Sequence, residues 1–139
     1  EFFSVGQHGI QCCREAMARN YVPEVALACL LHDGSEAYLA DVTRPVKKNM
    51  TMYLQIEEQL QNMIYHKFLG YVPEGEEAVL VKNIDDACLY YEFDHFMGEK
   101  LFPVEPVMMG NPSYEVQPMK DVEAEFLELY HRIKEQMQG

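Results

Sequence analysis

Pro23-Glu24-Val25-Ala26-Leu27-Ala28-Cys29-Leu30-Leu31-His32-Asp33 is the stretch on which the reading of this chain turns. A proline fits the first helical position, where its missing N–H would have had no intrahelical partner anyway. From Val25 to Leu31 the residues are apolar almost all round rather than striped, which predicts a helix at the centre of a bundle. His32 and Asp33 close that helix and Gly34 supplies the break. An imidazole and a carboxylate directly after an apolar run are costly to place there without a purpose.

The flanking sequence also reads as helix. From Val5 to Asn20, Val5, Cys12 and Ala16, with Cys13 and Met17 beside them, recur at helical spacing. His8 falls on the stripe of Val5 and Cys12 and is expected to face inward. After Gly34, Ser35 offers an N-cap to a short segment from Glu36 to Ala40, which Asp41 and Pro45 interrupt. Thr51 to Leu69 suits an amphipathic helix, with Leu54, Ile56, Leu60, Met63, Ile64 and Phe68 on the apolar face, Glu57, Glu58 and Gln61 exposed, and Gly70 as the stop. A second long helix is predicted from about Glu76 to Met97, with Val81, Ile84, Cys88 and Leu89 on one side, Asp85 in the middle of that side, and Gly98 as its stop.

Gly98 to Pro118 holds Pro103, Pro106, Pro112 and Pro118, too dense for regular structure, and is expected to be an ordered surface loop. Met119 to Gln136 places Val122, Phe126, Leu127, Tyr130 and Ile133 at helical spacing. That face could pack against the core or against a second copy of the chain, which would make a homodimer. Nothing alternates with a period of two, so the expected class is all-α, a compact bundle of roughly five to six helices. The 139 residues suit a single domain spanning 1–139 with one core.

Charge and cysteine usage narrow the function classes. A net charge of -12 disfavours a long nucleic-acid partner, which is held by clustered Lys and Arg. The same charge would repel a small phosphorylated substrate unless a cation reversed the field at the site. No run approaches the roughly 20 apolar residues that span a bilayer, so no membrane partner is expected. Cys12, Cys13, Cys29 and Cys88 show no CxxC spacing and lie in apolar helical segments, as reduced core thiols of a cytoplasmic protein would. The chain opens at Glu1-Phe2-Phe3 without an initiator Met, and native residues are expected upstream.

His8, His32, Asp33 and Asp85 form the order His, His-Asp, Asp, each on or ending an apolar helix. Two imidazole nitrogens and two carboxylates suit a divalent metal such as Mn, Co, Fe, Zn or Mg, with positions left open for water and substrate. Asp85 is favoured over Asp86 because it shares a face with Val81, Cys88 and Leu89, whereas Asp86 lines up with Lys82 and Asn83. Glu92 reads as a helix-surface group or as one standing behind the ligands. His66, His95 and His131 read as ordinary helix residues. Arg44, Lys47 and Lys48 could bind phosphate or be solvated charge.

In this order of ligands the chain resembles the HD-domain superfamily of metal-dependent phosphohydrolases. Ser4-Val5-Gly6-Gln7-His8, then His32-Asp33-Gly34-Ser35-Glu36, Asp41, Pro45-Val46-Lys47 and Val81-Lys82-Asn83-Ile84-Asp85 are similar to the signature of the branch containing the YfbR-type 5'-deoxynucleotidases. The resemblance covers residues 4 to about 92. It implies an HD-domain bundle with His8, His32, Asp33 and Asp85 as metal ligands, Glu36 beside the attacking water or leaving oxygen, and Asp41 as proton donor or hydrogen-bond partner near the phosphate. Lys47 and Arg44 would then hold the substrate.

The implied activity is hydrolysis of a phosphate monoester in a small nucleotide, a 5'-(deoxy)nucleoside monophosphate. Only His66 lies between the dyad and the last Asp, where two-metal members carry two further histidines, so one ion is expected and a di-iron oxygenase disfavoured. A hydrolase of the guanosine tetraphosphate type is a weaker alternative, since that branch carries Asp where Ala37 stands. The other alternative is a nucleotide-binding regulatory module that keeps the cavity without turnover. The chain has no GxGxxG, Walker loop or GxSxG, and its cysteines are too apolar in setting for a thiol nucleophile.

Overall fold

A computed structural model describes residues 4–35 and 50–138. Among them are five helices and no strand: α1 (Val5–Ala18), α2 (Pro23–Leu31), α3 (Met50–Phe68), α4 (Gly75–Met97) and α5 (Met119–Gln138). The all-α expectation holds. Ser4 caps α1 by accepting from the Gln7 N–H at 3.1 Å, and the Gln7 side chain returns to the Ser4 N–H. Pro23 starts α2, and α4 stops at Gly98, whose φ of 68° is a left-handed conformation that favours glycine.

The apolar run of α2 is buried from Val25 to Leu31, as its lack of a polar face requires. It packs chiefly against α1 and α5, and also meets α4 and α3. The approach to α1 is close: a Cβ on Gly9 would stand 2.9 Å from the Leu30 carbonyl oxygen, so the two backbones meet where only hydrogen fits. His8 lies one residue from that crossing and His32 two residues from it.

Two amphipathic faces differ from the expected ones. On α3, Leu54, Ile56 and Met63 are exposed, while Ile64, Tyr65 and Leu69 just beyond the helix end are buried. Gln61, expected on the solvent face, is half-buried, and it donates to the Leu31 carbonyl at 2.8 Å and accepts from the Ser35 N–H at 3.0 Å. The end of α2 leaves backbone groups without helical partners, and this amide satisfies one of each kind. On α5 the buried positions are Val122, Leu129 and Ile133; Leu127 is 48% exposed and Leu129 fully buried. Period alone allowed either leucine, and the crossing with α2 selects Leu129.

The proline-rich segment between α4 and α5 lacks regular structure but is clasped to α1. Glu15, 2% exposed, accepts from the backbone N–H groups of Met109 (2.8 Å) and Gly110 (2.7 Å) and from Arg19 Nε (2.7 Å). Arg19 in turn donates to the Val107 carbonyl, and Gln7 and Gln11 donate to those of Glu115 and Ser113. All four cysteines are buried free thiols. No helix is long and apolar enough to cross a membrane among the described residues.

The assignment of α5's buried face is checked by chemical denaturation. Leu129→Ala should lower unfolding free energy by about 2–5 kcal/mol, and Leu127→Ala should change it by about 0.5 kcal/mol or less.

Candidate metal centre

Three helices deliver side chains to one oxygen atom. His8 on α1 donates from Nε2 to Asp85 Oδ1 on α4 at 2.7 Å, and His32 at the end of α2 donates from Nε2 to the same oxygen at 2.9 Å. The opposite nitrogens are also engaged. His8 Nδ1 donates to the buried Glu92 carboxylate, at 2.7 Å to Oε2 and 2.9 Å to Oε1, and His32 Nδ1 donates to the Cys29 carbonyl at 2.6 Å. Carboxylates and carbonyls only accept, so both nitrogens of each ring carry a proton in the metal-free cluster; an ion would displace the two Nε2 protons, while Glu92 and the Cys29 carbonyl keep those on Nδ1.

Asp33 approaches the same pair from the more open side. Its Oδ2 lies 3.3 Å from His32 Nε2 and 3.7 Å from His8 Nε2, and its side chain is 28% exposed. Cys12 Sγ lies 3.6 Å from His8 Nε2 on the buried side. Donor atoms of His8, Cys12, His32 and Asp85 all fall within 4.8 Å of one another, a spacing that fits a single ion. Asp33 stands beside this set. Asp85 is the aspartate that joins the cluster, and Asp86 pairs with Lys82 at 2.7 Å.

The electrostatics follow from this geometry. Burial disfavours a charged imidazole, yet hydrogen bonds to Asp85 and Glu92 outweigh it at His8 and raise its pKa to about 10. His32 is raised to about 10 in the same way, burial being overcome by Asp33 and Asp85. Burial would raise Asp85, but the hydrogen bonds from His32 and His8 hold it well below the usual carboxylate range. Metal-free, the cluster is therefore a buried pair of imidazolium ions compensated by carboxylates.

Two cavities border Asp33. One of about 420 Å³ runs from His32, Asp33 and Ser35 along α3 past Glu57 and Glu58. The other, about 260 Å³, is walled by Val5, Leu30, Ile64, Phe68 and Phe126.

Of the residues expected at the site, His8, His32, Asp33 and Asp85 are brought together. Glu36, Asp41, Arg44, Lys47 and Lys48 lie outside the described residues. Glu92, read as a helix-surface group or as one standing behind the ligands, takes the second place, and Cys12 is the addition. Cys12 follows His8 by one helical turn and Glu92 follows Asp85 by two, so periodicity could have placed both on the ligand faces.

The chain is similar to Uncharacterized protein YfdR of Escherichia coli (strain K12), with 35% identity over 123 residues that cover 79% of this chain. The chain spans 65% of that relative's length. No family model and no solved structure matches.

Two outcomes test this geometry. Glu92→Gln should weaken divalent-ion binding in calorimetric titration by about 10–100-fold, as loss of a partner behind a ligating histidine does, while Asp86→Asn leaves it unchanged. In chelator-treated protein, the stabilisation from His8 and His32 is complete below their unfolded pKa of 6.5 and is lost as pH rises toward about 10. That from Asp85 is present above the ordinary carboxylate pKa of about 3.9 and is lost as pH falls. The melting temperature should thus be highest between about pH 4 and 6.5 and fall on the alkaline side, with a shallower alkaline slope in a His8→Asn, His32→Asn variant.

Proposed function

We propose that the chain is a metal-dependent phosphohydrolase of HD-domain type, acting on a small nucleotide and specifically on a 5'-(deoxy)nucleoside monophosphate. The observation that carries this reading is the meeting of His8 Nε2 and His32 Nε2 on Asp85 Oδ1, with Asp33 adjoining, where His32 and Asp33 also line a cleft of about 420 Å³. Such a cleft admits a mononucleotide-sized ligand. Residues 8, 32 and 85 come from three helices, and packing alone does not require polar groups from all three to converge.

His8, His32, Asp33 and Asp85 are the residues that would hold the ion. Bound there, a divalent ion supplies Lewis acidity, which polarises a phosphoryl oxygen and acidifies water. The chain's own contribution is orientation. Glu92 and the Cys29 carbonyl lock the two imidazoles, and Gln61 fixes the turn carrying Asp33 by bonding both Leu31 and Ser35. Glu57 and Glu58 beside the cleft oppose accumulated negative charge, which favours a monophosphate over a polyphosphate. Within this proposal Glu36 and Asp41 manage protons, and Arg44 and Lys47 hold the phosphate.

The test is release of inorganic phosphate from a panel of 5'-ribo- and deoxyribonucleoside monophosphates by the full chain loaded with Mn, Co, Zn or Mg. Release from part of the panel is expected, falling to background in His32→Ala and Asp85→Ala. Protein that retains its ion yet is silent across the panel would refute the assignment.

A further inference from the structure

We propose that Cys12 is a sulfur ligand of this metal centre, closing its buried side and making it a mixed nitrogen, oxygen and sulfur site for zinc, cobalt(II) or iron(II) rather than magnesium. The inference rests on the metal-centre part of the reading above and is independent of the substrate.

Helix geometry supplies the first argument. Cys12 follows His8 by four residues on α1, so the thiol and the imidazole stand one turn apart on the same face. Distance supplies the second. A tetrahedral ion with bonds of about 2.3 Å to sulfur and about 2.0–2.1 Å to imidazole nitrogen holds those two donors about 3.5 Å apart. Cys12 Sγ and His8 Nε2 are 3.6 Å apart. That nitrogen is the one directed at Asp85 Oδ1, so sulfur joins the set at the atom an ion would occupy itself with, and not at the far edge of the ring.

His8, His32 and Asp85 are common to two overlapping groups of four, one completed by Asp33 and the other by Cys12. Asp33 faces the cleft, where a substrate and water must enter. Cys12 is 1% exposed and lies where neither can reach. A ligand on the buried side leaves the open side to exchange, the arrangement of a catalytic site. The mutual 4.8 Å limit is met by the group containing Cys12.

Donor chemistry then sets the choice of ion. Thiolate favours zinc, cobalt and iron, whereas an oxygen-only complement would suit magnesium or manganese. On binding, the Cys12 S–H bond and the Nε2–H bonds of His8 and His32 break, one sulfur–metal and two nitrogen–metal bonds form, and the three protons pass to solvent through the open side. A cysteine that only packs would make no such bond and would leave the ion's spectrum free of sulfur character.

The experiment is cobalt(II) loading of the full chain, read by dialysis for stoichiometry and by absorption for a thiolate-to-cobalt charge-transfer band in the near ultraviolet. One bound cobalt with that band is expected, the band being lost in Cys12→Ser and retained in Cys88→Ser. Bound cobalt without the band in the unaltered chain overturns the proposal, as does a band that survives in Cys12→Ser. The unaltered protein alone can refute it, whatever the folding of the variants. Cobalt bound without sulfur character leaves the phosphohydrolase reading standing. A band accompanied by no phosphate release leaves Cys12 as ligand and removes that reading; failure to bind cobalt removes both.

Discussion

The close crossing of α1 and α2 governs the rest of the molecule. A Cβ on Gly9 would lie 2.9 Å from the Leu30 carbonyl oxygen, inside the 3.4–4 Å of ordinary contact, so glycine lets the helices approach further than any other residue would. His8 precedes that point on one helix and His32 follows it on the other, and their ring centroids lie 5.3 Å apart. One oxygen of Asp85 can then serve both rings. A wider crossing would part the imidazoles and leave the carboxylate to choose between them. The backbone packing of the core and the geometry of the candidate site are thus one constraint.

The charges show why so polar a cluster is tolerated beside the core. Isolated buried charges are strongly penalised, and partial pairing leaves a residue of that penalty. Here each imidazole has an acceptor at both nitrogens, and among the described residues no buried side-chain nitrogen or oxygen lacks a partner. Two protonated histidines carry two positive charges between them. A divalent ion would replace them charge for charge, releasing protons as it did so. The metal-free network therefore holds the side chains close to the arrangement an ion needs, which reduces the reorganisation that binding would require.

Most of the fold was legible in the sequence because its helices carry strong local signals: Pro23 before an apolar run and Gly98 after one. The convergence of His8, His32, Asp33 and Asp85 was expected from the family resemblance that their order carries, together with their apolar settings. What escaped was the choice among residues that periodicity treats alike. Leu127 and Leu129 differ only in which one the α2 crossing covers, and Gln61 looked solvent-facing because its partners, Leu31 and Ser35, lie in another element. Glu15 showed locally only its pairing with Arg19 four residues on, since the two backbone amides it also binds lie more than ninety residues away. Cys12 read as an apolar residue because a thiol is one until it meets an ion.

Charge balance places a further demand on the proposed chemistry. Asp33, Asp85 and Glu92 bring three carboxylates to the cluster, more than one divalent ion neutralises, and Glu57 and Glu58 add to the excess along the cleft. Among the described residues lining that cleft there is no lysine or arginine. A phosphate dianion would enter such a field only with cationic help from outside the ligand set. In the sequence, cationic residues cluster at Arg44, Lys47 and Lys48, twelve to sixteen residues after His32. On the proposed function these residues are required by electrostatics, since the ion alone would leave the site negative and anion binding unfavourable.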